Sequence, residues 1–252
     1  MTFKNMIFLV FALTFLNLYG QNSTIDRIKI KNQIVEIQPI THGSMVLNIG
    51  GKTIYVDPYG GPEKYAKLKA PDLILITDIH GDHLHSKTLE GIDSSKALYI
   101  VPQAVADKLT KIDPSKIIVL NNGQGIHRYN VFIRAIPMYN LPEDIESRHP
   151  KGRGNGYVIQ FGEVQLYISG DTEDIPEMRM LQQIDIAFVC MNLPYTMSVE
   201  QAADAVVDFK PNIVYPYHYR GSGGLSDVEK FKELVTSQNK DIDVRLRNWY
   251  RD

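Results

Sequence analysis

Between positions 78 and 83 the chain reads Asp78-Ile79-His80-Gly81-Asp82-His83, four potential metal ligands within six residues. They follow Leu73-Ile74-Leu75-Ile76, a continuous apolar run of the kind that forms a strand buried on both faces. On a helix Asp78 and Asp82 would share a face while His80 pointed nearly the opposite way. On an extended segment that turns at Gly81, Asp78 and His80 project to the same side, and Asp82 and His83 can close over the same pocket. A buried strand that ends in such a cluster is where α/β folds place ligands. The bland alternative is a solvated turn rich in Asp, His and Gly. Carboxylates and imidazoles gathered on a divalent ion would activate water for attack on an electrophilic carbonyl or phosphorus. No Gly-x-Ser-x-Gly turn suggests a serine nucleophile instead.

Composition narrows the other classes. The chain has 252 residues, 44% hydrophobic and 22% charged, with 18 Gly and 13 Pro, an ordinary globular make-up. A formal charge of -2, from 27 Lys and Arg against 29 Asp and Glu, argues against nucleic acid as a partner, since such binders need a concentrated basic face. The single cysteine, Cys190, can form neither an internal disulfide nor a zinc site that needs two or more cysteines. Cys190 ends an apolar strand and reads as a packed core thiol. Any ion must therefore be held mainly by His and carboxylates.

Residues 1–20 read as a secretory signal peptide: Lys4, an apolar run over 7–18, then Tyr19-Gly20-Gln21. The run is shorter than the roughly 20 apolar residues of a membrane helix. An uncleaved anchor or a buried N-terminal helix is the alternative. Cleavage would leave residues 21–252 as a single domain, periplasmic or secreted, with no stable membrane anchor.

The elements that must position the cluster are mostly strands. Strand patterns cover 34–40, 45–49, 53–56, 73–77, 97–101, 117–120, 131–136, 157–161, 164–168, 186–189 and 213–217, with hairpin turns at Gly50-Gly51 and Phe161-Gly162-Glu163. The clearest helix spans 199–209, with Ser198 as N-cap and Gln201 completing a capping box. Weaker helix patterns cover 102–109, 175–183 and 227–237. Hairpins interrupted by helices that lead into buried strands predict an α/β fold of two packed sheets with helices outside.

The 78–83 segment resembles the His-x-His-x-Asp-His signature of the metallo-β-lactamase superfamily, with Asp78 in place of the first His. Thr41-His42-Gly43-Ser44 followed by Ile54-Tyr55-Val56-Asp57-Pro58 is similar to the opening hairpin of the branch that includes L-ascorbate-6-phosphate lactonase. Ser169-Gly170-Asp171-Thr172 resembles the element that supplies a bridging carboxylate. Pro194-Tyr195-Thr196-Met197 and Tyr215-Pro216-Tyr217-His218-Tyr219 resemble that branch's closing section with its last ligand His. The resemblance implies a four-layer αββα sandwich of two mixed sheets. It also implies Asp78, His80 and His149 around one ion, Asp82, His83 and His218 around a second, and Asp171 bridging them.

His149 is the less clean assignment. In many relatives the matching His sits nearer the end of the preceding strand, where this chain has Met138-Tyr139-Asn140, and a surface-loop His is the bland reading. His42 could line the rim or cap backbone groups. Asp57 could orient a ligand from behind or cap a turn. His85 and His127 show no partner pattern and read as solvated. Arg148, Lys151, Arg153 and Arg220 could bind a phosphate or carboxylate, or be ordinary solvated charges.

Two ions about 3.5–4 Å apart would hold a hydroxide between them, with the pKa of water lowered toward about 7. Asp82 is the expected catalytic residue, able to hold and deprotonate that water. The expected cofactor is one or two divalent ions: zinc first, with manganese or iron favoured at the first position by the harder Asp78 carboxylate. The reading is a secreted metal-dependent hydrolase acting on a small-molecule lactone, ester or phosphodiester. A redox di-iron protein and a catalytically silent binding member of the same fold are the alternatives. Substrate and oligomeric state are not legible in the chain.

Overall fold

Alternating apolar patterns account for most of the architecture. The computed structural model describes residues 25–250, so the expected signal segment at 1–20 lies outside the described residues. The first half builds a seven-stranded sheet in chain order: β1 (Asp26–Ile30), β2 (Gln33–Thr41), β3 (Ser44–Ile49), β4 (Lys52–Val56), β5 (Leu73–Leu75), β6 (Leu98–Val101) and β7 (Ile117–Val119). β1 to β4 form an antiparallel meander, and β4 to β7 pair in parallel. Period two sorts the faces of this sheet. Leu47, Ile54, Leu73 and Ile100 point into the core shared with the second sheet. Val46, Tyr55, Ile74 and Tyr99 point outward against Leu89 of α1 (Ser86–Gly91) and Val105 of α2 (Gln103–Ala106).

The second half repeats the plan. β8 (Gly125–Arg128), β9 (Val131–Met138), β10 (Gly154–Phe161) and β11 (Val164–Ile168) are antiparallel. β12 (Ile186–Cys190), β13 (Ile213–Tyr217) and the short β16 (Asp243–Val244) then add in parallel. α3 (Pro176–Arg179), α4 (Val199–Phe209) and α5 (Val228–Gln238) cover this sheet through residues such as Met178, Val206, Phe209 and Phe231. A two-stranded ribbon, β14 (Arg220–Gly221) with β15 (Gly224–Leu225), follows β13. The result is the expected four-layer arrangement, two mixed sheets face to face with helices outside. Among the described residues no helix is long and apolar enough to cross a membrane.

Both halves of the predicted capping box are made at α4, where the Ser198 side chain accepts from Gln201 N–H and the Gln201 side chain accepts from Ser198 N–H. Two predicted helices are shorter than their patterns. The 102–109 pattern tightens after Ala106 into i→i+3 bonds, Lys108 N–H to Val105 and Leu109 N–H to Ala106. The 175–183 pattern tightens after Arg179 in the same way, with Leu181 N–H on Met178, and Gln183 turns left-handed at φ 59°. The 73–77 strand ends at Leu75, because the Thr77 N–H leaves the ladder to bond Asp57 Oδ1 at 2.7 Å. Cys190 is a buried core thiol whose ionisation burial pushes up to about 11.

Candidate metal centre

The parallel strands of both sheets end on the same side of the molecule, and their last residues carry the site. β4 runs into Asp57, β5 into the 78–83 segment, β11 into Asp171 and β13 into His218, while the β2–β3 turn presents His42. His42, Asp57 and His218 all take left-handed backbone angles, φ 56°, 42° and 47°. This costs roughly 1–2 kcal/mol per non-glycine residue, a strain that concentrates where geometry matters more than stability. The strands are drawn together here: His218 N–H donates to His42 O at 3.3 Å, and His42 N–H to Trp249 O at 3.1 Å. A Cβ on Gly43 would stand 2.8 Å from His218 Cδ2, so only glycine admits the ring.

Five predicted residues converge on one point. His83 Nε2 lies 3.3 Å from Asp171 Oδ2, and His149 Nε2 lies 3.4 Å from the same oxygen. His218 Nε2 is 3.2 Å from His83 Nε2 and 3.4 Å from both Asp171 Oδ1 and Asp82 Oδ2. The rings are held from behind. His83 Nδ1 donates to Asp57 Oδ2 at 2.8 Å, and Asp57 is itself gripped by the Thr77 hydroxyl at 2.6 Å. His149 Nδ1 donates to Asn140 Oδ1 at 3.2 Å, the same oxygen that accepts the His149 N–H at 2.8 Å. With Nδ1 committed to these acceptors, each of these two rings offers Nε2 to the centre, where an ion would take the lone pair and displace any proton held there. Asn140 thus holds His149 through both its backbone and its ring.

The centre holds negative charge. Burial opposes ionisation of Asp171 and Asp82. The charges of His218 and His83 and the hydrogen bonds to neighbouring imidazoles outweigh it, and both carboxyls sit well below their usual range. Burial also opposes charging of His83, but the carboxylates of Asp171 and Asp57 override it and raise the ring's proton affinity well above normal. His149 Nε2 and Asp171 Oδ1 are buried with no hydrogen-bond partner. Stranding such atoms costs about 1–3 kcal/mol each, and a cation between them would satisfy both. Imidazole nitrogen and carboxylate oxygen are the donors that zinc-like divalent ions take. The residues therefore fit an ion. His83, Asp171 and His218 form one group that could hold it, and His42, Asp82 and His218 an overlapping one.

Asp78, His80 and His149 form a third group of suitable donors. Asp78 and His80 project to the same side, with Asp78 Oδ2 2.7 Å from His80 Nδ1. Burial opposes ionisation of Asp78, but the His80 hydrogen bond and the charges of His83, His80 and Arg153 outweigh it and bring its pKa down to about 2. Arg153 is not the solvated charge or anion site considered from sequence. Its Nε and Nη2 donate to Asp78 Oδ1 and Oδ2 at 3.1 and 2.9 Å.

His42 occupies the rim in an oriented chain of bonds. Arg220 N–H donates to the Tyr250 hydroxyl at 2.8 Å, leaving the hydroxyl proton for His42 Nδ1 at 3.0 Å and the His42 Nε2 proton for Asp82 Oδ2 at 3.1 Å. Burial lowers the His42 basicity and outweighs the Asp82 bond, consistent with a neutral ring. His85 is not simply solvated, since its Nδ1 meets Thr88 Oγ1 at 2.7 Å beside α1. His127 is exposed against Phe132. Lys151 pairs with Glu143 and Glu177, away from the cluster. Tyr250, Asn140, Thr77 and the Arg153 pairing had no sequence signal. The one available clue was an unbalanced carboxylate at Asp78 that a buried site must neutralise.

The β-lactamase superfamily domain matches residues 36–218. A metal-dependent hydrolase of Pyrococcus abyssi is 30% identical over 220 residues, 82% of this chain and 95% of that one. A crystal structure of a candidate metal-dependent hydrolase from Parabacteroides distasonis superposes with a TM-score of 0.78 at 38% identity, covering 90% of this chain and 99% of the other. Igni18, a metallo hydrolase of Ignicoccus hospitalis, shares the fold at a TM-score of 0.72 and 24% identity, over 86% of this chain and 96% of that one. With the family domain spanning most of its length, and relatives of nearly its own length, this chain belongs to the β-lactamase superfamily as one of its metal-dependent hydrolases.

Proposed function

We propose that the chain hydrolyses a small-molecule lactone, ester or phosphodiester with a divalent ion held by His83, Asp171 and His218, with Asp82 and His149 beside it. The convergence of three imidazole Nε2 atoms on the Asp171 carboxylate carries this reading, with two of the rings fixed from behind by Asp57 and Asn140. When bound, such an ion lowers the pKa of water and polarises the substrate oxygen.

The chain's residues supply the rest. Asp82 is partly open to solvent, and its Oδ2 accepts the His42 proton. This fixes the carboxylate as a base aimed at the mouth of the site. The Tyr250–His42 pair holds that orientation and keeps His42 a donor. Arg148 lies over the Tyr195 ring at 4.3 Å and Arg220 over Tyr250 at 4.2 Å, and neither pairs with a carboxylate among the described residues. Both guanidiniums are thus free to take an anionic group of the substrate, which favours a phosphodiester or a phosphorylated lactone. The lactonase-like branch resemblance points the same way. Zinc suits the imidazole-rich half, with manganese or iron as alternates. Residues 1–20 direct export, and residues 21–252 work as one domain in the periplasm or outside the cell.

The test is hydrolysis of bis(p-nitrophenyl) phosphate, a phenyl ester and a simple lactone by metal-loaded protein. Activity on at least one, lost with chelator and restored by zinc or manganese, supports the reading. Activity that survives complete removal of metal, or loaded protein inert on all three, overturns it, and the inert result leaves a silent binding member of the fold.

A further inference from the structure

The first half of the cluster is organised differently from the second. In the second half the carboxylate and imidazole atoms face one another with lone pairs unspent. In the first half the Asp78 carboxylate and His80 are already engaged, which leaves only His149 Nε2 unspent. Asp78 is fully buried, and each of its oxygens accepts from Arg153, Nε to Oδ1 at 3.1 Å and Nη2 to Oδ2 at 2.9 Å. Oδ2 also meets His80 Nδ1 at 2.7 Å, and His80 Nε2 lies 3.5 Å from Arg153 Nη2. Arg153 is fixed in turn, since Nη2 donates to Arg148 O at 2.6 Å.

The backbone puts Arg153 there by construction. β10 begins beside the 77–78 segment, with Asn155 N–H on Thr77 O at 2.9 Å. The approach requires Gly154, where a Cβ would stand 2.9 Å from Thr77 O and 2.5 Å from Met138 Cε. The residue before Gly154 is thereby delivered to the Asp78 carboxylate. A guanidinium has donors only and keeps its positive charge, so against Asp78 it does electrostatically what an ion would do and repels an ion placed beside it.

We propose that the Arg153 guanidinium is the resident cation of the first half of this site, paired with Asp78, so that the chain carries one metal ion where its donor set would otherwise hold two. The inference rests on the reading that His83, Asp171 and His218 hold an ion. Asp78 and Arg153 then substitute together for a ligand and its metal, and Arg153 is a positioning residue for Asp78 and His80.

Metal stoichiometry tests this without reference to activity. Full-length protein is loaded with manganese, freed of excess, and measured by elemental analysis and electron paramagnetic resonance. Wild type is expected to hold one ion per chain with the six-line signal of isolated manganese. Arg153→Gln and Arg153→Ala are expected to rise to two ions per chain with a spin-coupled signal. Two ions in the wild type, or a coupled signal there, overturns the inference while leaving the metal-centre reading intact. A folded Arg153 variant that stays at one ion also overturns it. Zero ions per wild-type chain overturns both. The wild-type spectrum decides between one ion and two even if neither variant folds.

Discussion

Replacing Asp57 by Asn tests how the centre is held rather than what it holds. Asp57 is fully buried. Its Oδ1 accepts from Thr77 N–H at 2.7 Å, and its Oδ2 from the Thr77 hydroxyl at 2.6 Å and His83 Nδ1 at 2.8 Å. An Asn that keeps its carbonyl oxygen on Thr77 N–H must turn its NH2 toward the other two. The threonine hydroxyl, 2.9 Å from His83 Nδ1, can rotate and accept, but it is a weaker partner than the carboxylate and no longer holds the proton on Nδ1 against the amide NH2 beside it. The proton then moves to Nε2 and removes the lone pair aimed at Asp171, or His83 keeps it and leaves an unpaired buried donor. Loss of such an orienting partner costs about 10–100-fold in metal affinity, or about 1.4–2.7 kcal/mol. The lost hydrogen bonds to a buried charge lower the stability of the ion-free protein by about 1.5–3 kcal/mol. Competitive titration of zinc against a fluorescent chelator, with circular dichroism to verify folding, measures the first quantity, and thermal melts in chelator the second. Thr77→Val is the internal control. It removes the hydroxyl from Asp57 and from its 2.9 Å approach to His83 Nδ1 but leaves the Asp57–His83 bond, so stability falls by about 1 kcal/mol with metal affinity within about threefold. A folded Asp57→Asn variant whose affinity stays within about threefold of wild type refutes the claim that Asp57 sets the His83 tautomer.

Gly43→Ala drives a methyl to within 2.8 Å of His218 Cδ2. It should cost about 1–3 kcal/mol of stability, as overpacking does, and weaken metal binding, both read from melts with and without metal. In the ion-free chain His83 binds a proton more tightly than usual, because Asp171 and Asp57 outweigh its burial. Metal binding must displace that proton. Affinity should fall about tenfold per pH unit on acidification, and calorimetry in buffers of different ionisation enthalpy should show proton release. An affinity flat between pH 6 and 8 would contradict this. Saturating metal at about 100 times its Kd should stabilise the fold by about 2.7 kcal/mol, seen as a melting shift that chelator reverses. Ser198→Ala, which breaks the α4 capping box and removes no side chain of the cluster, should cost about 1 kcal/mol and leave metal affinity unchanged.

Much of this was legible in the chain because it was local. Alternating apolar runs placed most of the strands, and Ser198 with Gln201 marked the start of α4. The 78–83 spacing and its position after a buried strand announced the cluster. What was not legible depends on contacts between distant residues. Asp78 meets Arg153 across 75 positions, Tyr250 reaches His42 across 208, and Lys31 reaches Asp185 across 154, none leaving a periodic trace. β1, β8 and β16 are edge or near-edge strands too short or too polar to announce themselves. Of the two roles weighed for Asp57, its contacts are those of a residue that orients a ligand from behind, since its oxygens take the distant Thr77 N–H and His83 rather than a backbone N–H of its own turn.

The central claim is that side chains from strand ends of two sheets share one cationic centre. Anomalous diffraction from a crystal of zinc-loaded protein, collected on both sides of the zinc edge, tests it most directly. The account predicts a strong peak about 2.0–2.2 Å from His83 Nε2, His218 Nε2 and an oxygen of Asp171, with none between Asp78 and His80. An anomalous map with no peak among those three residues, their side chains turned apart, would contradict it.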